Sequence, residues 1–182
     1  TEHEGRLGVI VTFLAVMDHQ SYSVPWHFVR EQCSAVWKWV PVSDDGALDM
    51  EAYAELLGPR TKFVSLTQMS NALGTVTDAK RIIELAHAAN VPVLLDGCQG
   101  AVHMATDVQN LDVDFYVFSG HKVYGPGGIG VMYAKAQLLE TMRPYRGGGE
   151  MIRDVTLDDV TYADPPHRFE AGTPPIVAPL GL

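Results

Sequence analysis

Two clusters of polar residues in this sequence directly follow short apolar runs, and each carries side chains suited to amine or carbonyl chemistry. The first is Ser119-Gly120-His121-Lys122, which follows the apolar run Phe115–Phe118. A lysine at the end of a buried strand loses part of its hydration, and this frees its amine to attack a carbonyl. Ser119 and His121 offer a hydroxyl and an imidazole that can bind a phosphate oxygen. A lone lysine at a strand end is more often a plain surface residue, so its neighbours favour the chemical interpretation here.

The second cluster is Asp96-Gly97-Cys98-Gln99, which follows the apolar run Val91–Leu95. A carboxylate at the end of a buried run is costly unless it is paired with a cation. A protonated pyridine nitrogen is such a cation, and the pairing keeps the ring protonated as an electron sink. Taken alone, Asp96 is equally consistent with an Asp-Gly turn in which the carboxylate only caps a helix or turn.

The elements that must position these residues follow from the alternation of short apolar runs with segments of helical periodicity. This alternation is typical of an α/β protein with a buried, mainly parallel sheet flanked by helices. Ligands bind such sheets at the carboxyl ends of the strands, where both clusters lie. The predicted strands are Val9–Leu14, Trp37–Val42, Phe63–Thr67, Val91–Leu95, Phe115–Phe118 and Ile129–Tyr133. The predicted helices are Leu48–Leu57, Asp78–Asn90 with Thr77 as its cap, and a third that begins at Pro25.

Composition excludes several classes of function. The chain has 182 residues, of which 22 are acidic and 13 basic, so its net charge of -9 offers no broad basic surface for nucleic acid or anionic lipid. Its apolar stretches fall short of the ~20 residues that a membrane span needs, and no signal peptide is visible. Cys33 and Cys98 form neither a disulfide framework nor a metal-ligand pattern, so we expect no metal and a reducing cytoplasm.

Both clusters, with the spacing between Asp96 and Lys122, resemble the class V, fold type I pyridoxal phosphate (PLP) enzymes. Within them the chain is most similar to the group II (SufS-like) cysteine desulfurases. The resemblance extends over nearly the whole chain because four further segments agree in order and spacing. These segments are Met17–Gln20 with Val24–Trp26, Met69–Gly74, Gly147–Ile152 and Arg168–Pro174. One departure is Asp18-His19-Gln20, where the family often has Glu-His-His.

The resemblance implies a role for each matching residue. Lys122 would bind PLP as a Schiff base and later move the substrate's α-proton, and His19 would stack on the ring and assist that transfer. Asp96 would pair with the pyridine nitrogen. The remaining implied cofactor contacts are Asn71 and Gln99 at the phenolic oxygen, Ser119 and His121 at the phosphate, and Thr173 at the phosphate of the other subunit's cofactor.

The resemblance also implies the fold and the reaction. Residues 1–182 would form part of the large PLP-binding domain, with 143–182 a loop-rich segment that contacts the partner in a homodimer. The substrate would be L-cysteine or selenocysteine, and the sulfur of L-cysteine would pass as an enzyme persulfide to a SufE-like or scaffold acceptor for iron–sulfur cluster assembly. The family's upstream phosphate-binding segment, persulfide cysteine and carboxylate-binding arginine match nothing here. We therefore expect an internal piece of a longer enzyme, inactive alone.

Two alternatives stay open at this point. Other class V PLP enzymes, such as a selenocysteine lyase, an aminotransferase or an epimerase-like relative, share the same cofactor residues. A non-catalytic fragment with the PLP fold would also carry them. A Rossmann-type nucleotide binder fits poorly, because no Gly-x-Gly-x-x-Gly follows an early strand.

Overall fold

A computed structural model describes residues 10–15, 17–33 and 35–182. Val9, the first residue of the first predicted strand, and the side chain of Cys33 lie outside what it describes. The strands are β1 (Ile10–Ala15), β2 (Val36–Val40), β3 (Val64–Thr67), β4 (Val93–Asp96), β5 (Phe115–Ser119), β6 (Gly130–Ala134), β7 (Ile152–Val155) and β8 (Val160–Tyr162). The helices are α1 (Gln20–Cys33), α2 (Met50–Leu56), α3 (Ala79–Ala88), α4 (Gly100–His103), α5 (Val108–Leu111), α6 (Ala136–Thr141) and α7 (Val177–Gly181).

The predicted α/β class with a mainly parallel sheet is confirmed. Strands β3, β4, β5 and β6 form one sheet in that order, parallel except for the antiparallel β6. Strands β1 and β2 form a parallel pair, and β1 packs beside β3. The carboxyl ends of β1, β3, β4 and β5 therefore lie along one edge, and this edge is where the two polar clusters come together.

The core packs helix α3 and the inner strands into one apolar cluster. Helix α3 contributes Ile82 and Ile83, which are fully buried, and the strands contribute Leu66, Val93 and Leu95. Burying side chains of this size stabilises the fold by ~2 kcal/mol each. The strand ends are thereby held rigidly, which is the condition for placing polar side chains accurately.

Two of the sequence predictions about helix starts were wrong. Helix α1 begins at Gln20, not at Pro25, which lies inside it. The backbone is already helical one turn earlier, since the N–H of Ser23 donates to the His19 carbonyl at 3.1 Å. Helix α3 is capped by Asp78, whose carboxylate accepts from the N–H of Arg81. The hydroxyl of Thr77 instead donates to the Thr67 and Gln68 carbonyls, where it ties the helix start to β3.

The region from residue 143 onward contains more regular structure than its glycine and proline content suggests. Strands β7 and β8 form an antiparallel hairpin within it, and both strands are exposed. Their apolar alternation was hidden because each strand is only three or four residues long.

The predicted end of helix α3 is confirmed. Asn90 follows α3 with a φ of 57°, the left-handed conformation that asparagine tolerates at a helix end.

Candidate active site

The structure brings five of the predicted site residues to one narrow cleft at the carboxyl edge of the sheet. They come from four different segments: His19 after β1, Asn71 after β3, Asp96 and Gln99 at the end of β4, and Lys122 after β5. The remaining lining residues are Thr67, Met69 and Cys98. Residues up to 103 positions apart in the chain thus face one space, because parallel strands bring their carboxyl ends together.

Lys122 lies in a one-turn 3₁₀ helix, Gly120–Val123, that follows β5 directly. The turn is fixed at both ends: the Gly120 N–H donates to the Ile129 carbonyl at 2.9 Å, and the Gly125 N–H donates to the Gly120 carbonyl at 3.0 Å. This anchoring presents the partly buried lysine to the cleft. Ser119 precedes this turn and His121 lies within it; neither is among the residues that line the cleft, and His121 is exposed.

Asp96 is the buried charge of the site. It is only 6% exposed, and its Oδ1 accepts a hydrogen bond from the N–H of Cys98 at 2.9 Å. Within the described part of the chain, no lysine, arginine or histidine forms an ion pair with it. A buried carboxylate in this state fits a cationic ring nitrogen supplied by a ligand. The alternative prediction, that the Asp96 carboxylate caps the Asp-Gly turn, is also confirmed, since the carboxylate accepts from the N–H of Cys98.

The imidazole of His19 is oriented by the start of helix α1. Its Nδ1 accepts a hydrogen bond from the N–H of Ser21 at 3.1 Å and lies 2.6 Å from the Ser21 hydroxyl. A backbone N–H can only donate, so Nδ1 is the acceptor and Nε2 carries the proton of the neutral ring. The ring therefore meets the cleft with a fixed tautomer.

Asn71 sits on a short turn that is tied to the segment before His19. Ser70 is buried, its hydroxyl donates to the Met17 carbonyl at 3.2 Å, and it accepts from the N–H groups of Ala72 and Leu73 at 3.3 Å. The Ser70 carbonyl also accepts from Gly74. The loops after β1 and β3 are thus one hydrogen-bonded unit, and Asn71 is held beside it.

Cys98 lies between Asp96 and Gln99 and is the described cysteine nearest to the site. Its side chain is half-buried, lines the cleft, and places Sγ 3.5 Å from the hydroxyl of Ser119. Burial raises the pKa of the Cys98 thiol, and the nearby Asp96 carboxylate raises it further. The thiol is therefore kept protonated and is a poor nucleophile.

A second layer of polar residues supports the loop that carries Asp96 and Gln99. The Tyr116 hydroxyl donates to Oε1 of Gln68 at 2.8 Å, and Nε2 of Gln68 donates to Thr106 at 3.2 Å. The loop passes directly over these side chains: a Cβ on Gly97 would lie 1.9 Å from Cζ of Tyr116, and one on Gly100 would lie 2.0 Å from Gln68 Oε1. Sequence reasoning assigned no role to these residues, because only the sheet order brings Gln68 beneath the loop.

Thr173 lies apart from the cleft. It is exposed and lines a separate groove of about 1000 Å³ between β6 and the C-terminal residues of the chain. The part of the chain that the structure describes therefore does not bring Thr173 to Lys122. The described residues also contain no helix that could span a membrane and no group of three or more His, Cys, Asp or Glu side chains that could hold a metal ion.

Comparison with known proteins gives one consistent result. The model of the aminotransferase class-V family matches residues 9–182. A cysteine desulfurase of Dickeya dadantii is 50% identical over 170 residues, which are 93% of this chain and 41% of that protein. The chain thus spans less than half the length of this relative.

Solved structures agree with the sequence comparisons. The cysteine desulfurase CsdA of Escherichia coli, in an S-sulfonic acid form, superposes with a TM-score of 0.92 at 43% identity, covering 96% of this chain and 44% of CsdA. A C-DES variant with glycine covalently linked to its PLP cofactor superposes with a TM-score of 0.81 at 25% identity, covering 91% of this chain and 45% of that protein. Fold, site geometry and sequence agree, and the chain belongs to the aminotransferase class-V family.

Proposed function

We propose that this chain is the cofactor-binding part of a PLP-dependent cysteine desulfurase, which removes sulfur from L-cysteine and leaves L-alanine. The observation that carries the proposal is the cleft that His19, Asn71, Gln99 and Lys122 line together with the buried Asp96, which forms no ion pair with any described residue. The class-V family implies PLP, and the similarity to cysteine desulfurases at 50% identity supports this reaction over the other activities of the family.

The residues of the cleft fit the cofactor. Asp96 is the only acidic residue among the described residues that line the cleft and would hold the proton of the ring nitrogen. Lys122 would bind the aldehyde carbon through Nζ, and Asn71 and Gln99 would donate to the phenolic oxygen. Ser119 and His121, on the turn beside Lys122, would bind the phosphate. When bound, PLP supplies an electron sink that stabilises negative charge on the substrate's α-carbon.

The chain's own residues account for the proton transfers. Nζ of Lys122 would also take the proton from the substrate's α-carbon. His19 would cover the ring face, exclude water there, and supply a proton from Nε2, which carries the proton because Nδ1 accepts from the N–H of Ser21. Attack on the sulfur requires a thiolate, and the protonated Cys98 is unsuited to that role.

The finer parts of the proposal concern partners and location. We propose a homodimer in which Thr173 reaches the phosphate of the partner's cofactor, a SufE-like or scaffold protein that accepts the sulfur for iron–sulfur cluster assembly, and a cytoplasmic location. Exposure of Thr173 in an open groove supports the first of these. The accepted substrate is L-cysteine or its selenium analogue.

The test is covalent labelling of the complete enzyme. Borohydride reduction of the PLP-loaded protein should fix the cofactor to the peptide that contains Lys122, and Lys122→Ala should abolish both this label and the release of L-alanine from L-cysteine. Lys135, which is held by Asp112 at 2.7 Å and Asp114 at 3.0 Å, supplies the matched control Lys135→Met. A label that stays on the peptide in Lys122→Ala, or that disappears in Lys135→Met, would contradict the assignment.

A further inference from the structure

Asp18, the residue before His19, connects the ends of two strands. Its Oδ2 accepts a hydrogen bond from the N–H of Ala15, the last residue of β1, at 2.8 Å. Its Oδ1 accepts one from the N–H of Thr67, the last residue of β3, at 3.0 Å. The Asp18 N–H donates in turn to the Ala15 carbonyl at 3.0 Å. One side chain thus joins the two strand ends and closes the turn that leads to His19.

The contacts of Asp18 cannot be reproduced by an uncharged side chain of the same shape. Both oxygens face backbone N–H groups, which only donate, so the site requires two acceptors. An asparagine offers one oxygen and one NH₂ group, and the NH₂ would confront a donor. A glutamate keeps both acceptors but is longer by one methylene group.

The electrostatic surroundings of Asp18 connect it to the cleft. Burial raises the pKa of Asp18 to about 7, the two N–H donors oppose this shift, and the nearby carboxylate of Asp96 adds to it. Thr67 connects Asp18 with the cleft. Its N–H donates to the Asp18 carboxylate, and Thr67 is also one of the residues that line the cleft. Asp18 is therefore close enough to the cleft to sense the charge of Asp96, although it does not line the cleft itself.

We propose that Asp18 is a positioning residue of the cofactor site, which fixes the turn carrying His19 against the ends of β1 and β3 and so sets the place of the imidazole over the cleft. This inference rests on the proposed function, because it assigns His19 to the ring face of PLP. Asp18 is not among the residues that line the cleft, and it acts on the cofactor through His19. Its loss should disturb the seating of the cofactor more than the stability of the fold.

The test compares Asp18→Asn and Asp18→Glu in the complete, PLP-loaded enzyme. The readouts are the visible circular dichroism of the bound cofactor, its dissociation constant and the apparent melting temperature. Asp18→Asn should weaken PLP binding by about tenfold, the size expected when a hydrogen bond to a charged group is lost. It should also reduce the dichroic signal, and Asp18→Glu should restore more of both than Asn does.

Asp114→Asn is the matched control. Asp114 is also a buried aspartate that accepts a backbone N–H, from Val93 at 2.8 Å, but it lies before β5, at the opposite end of the sheet from the cleft. The variant Asp114→Asn should lower the melting temperature at least as much as Asp18→Asn does, and it should leave the dichroic signal of the cofactor unchanged. Equal loss of signal in both variants would show that Asp18 is only structural and would overturn the inference.

A double-variant cycle then tests the route through His19. If Asp18 acts through His19, adding Asp18→Asn to His19→Ala should change the dichroic signal little further, whereas additive losses would overturn this route.

Hydrogen exchange in the cofactor-free protein tests the bridge between the two strands. Asp18→Asn should speed exchange at the Ala15 and Thr67 amides, and unchanged exchange would overturn the bridging role. A wild-type enzyme that binds no PLP would instead contradict the proposed function.

Discussion

At the scale of single residues, Asp96 combines burial with the lack of a cationic partner in the described part of the chain. Among the described residues its carboxylate accepts a hydrogen bond from the Cys98 N–H, and this leaves charge to be balanced from the cleft. Lys122 lines the same cleft without forming an ion pair with it. A carboxylate that is costly to bury alone becomes stabilising once a cation binds, so its charge and not its shape should matter.

We therefore expect Asp96→Asn to lower turnover of the complete enzyme by ~100-fold or more, the usual effect of removing one preorganised electrostatic contact. Asparagine keeps the volume and removes the charge that would hold the ring nitrogen protonated. Steady-state formation of L-alanine from L-cysteine measures the effect. Asp107→Asn is the control, because Asp107 caps helix α5 on the surface and asparagine caps a helix equally well. Near-normal turnover of Asp96→Asn would mean that the ring nitrogen has a different partner.

At the scale of elements, the loop from β4 to α4 is shaped by the side chains beneath it. Tyr116 projects from the neighbouring strand β5, and its hydroxyl lies 3.5 Å from the Gly97 carbonyl. There is no room for a side chain between the loop and the ring. The residue between Asp96 and Cys98 is therefore glycine because of a neighbour 19 positions away, and not because of its own backbone angles.

Gly97→Ala should force the loop off Tyr116, because its Cβ would overlap the ring. Overpacking of this kind costs ~1–3 kcal/mol, and here the displaced loop also carries Asp96 and Gln99. We expect PLP binding to weaken, measured by titration of the cofactor's absorbance, with partial recovery when Tyr116→Leu removes the ring. Gly58→Ala is the control, since nothing lies within 4 Å of its Cβ position. Unchanged PLP affinity in Gly97→Ala would show that the loop adjusts freely.

At the scale of the whole molecule, the site and the C-terminal groove are separate surfaces of the described chain. The cleft lies at the carboxyl edge of the sheet, and Thr173 lies on the groove beside β6. The groove is lined by apolar side chains that include Met132, Ile176 and Leu180, all exposed. This arrangement suits a residue that acts on another subunit, which the proposed homodimer requires.

Mixing subunits that carry Thr173→Val with subunits that carry Lys122→Ala tests that arrangement. Heterodimers of Thr173→Val and Lys122→Ala subunits contain one site with both defects and one with neither, because the two sites of a two-fold dimer exchange the same segment. Roughly half of the wild-type activity per heterodimer should return. The activity of mixed and unmixed samples gives the comparison. If heterodimers form and no activity returns, Thr173 acts within its own subunit or has no catalytic effect.

Much of the fold was predictable because strand and helix signals are local. The six main strands were placed within a few residues, since each is a short apolar run followed by a polar turn. The start of α1 was missed because Pro25 looks like a first-turn residue, whereas the N–H of Ser23 has already made a helical hydrogen bond. The β7–β8 hairpin was missed because three or four exposed residues carry no apolar pattern.

The sequence by itself determined which polar residues follow the strands, and parallel pairing then requires those strand ends to share one edge. Lys122 and Asp96 could be identified for that reason, and His19 through the family resemblance. Only the tertiary structure decided the contacts between distant segments. These include Asp18 with Thr67, 49 positions away, and the place of Cys98 beside Ser119. Such contacts depend on strand order and on the sub-ångström packing of side chains, and neither is encoded in local periodicity.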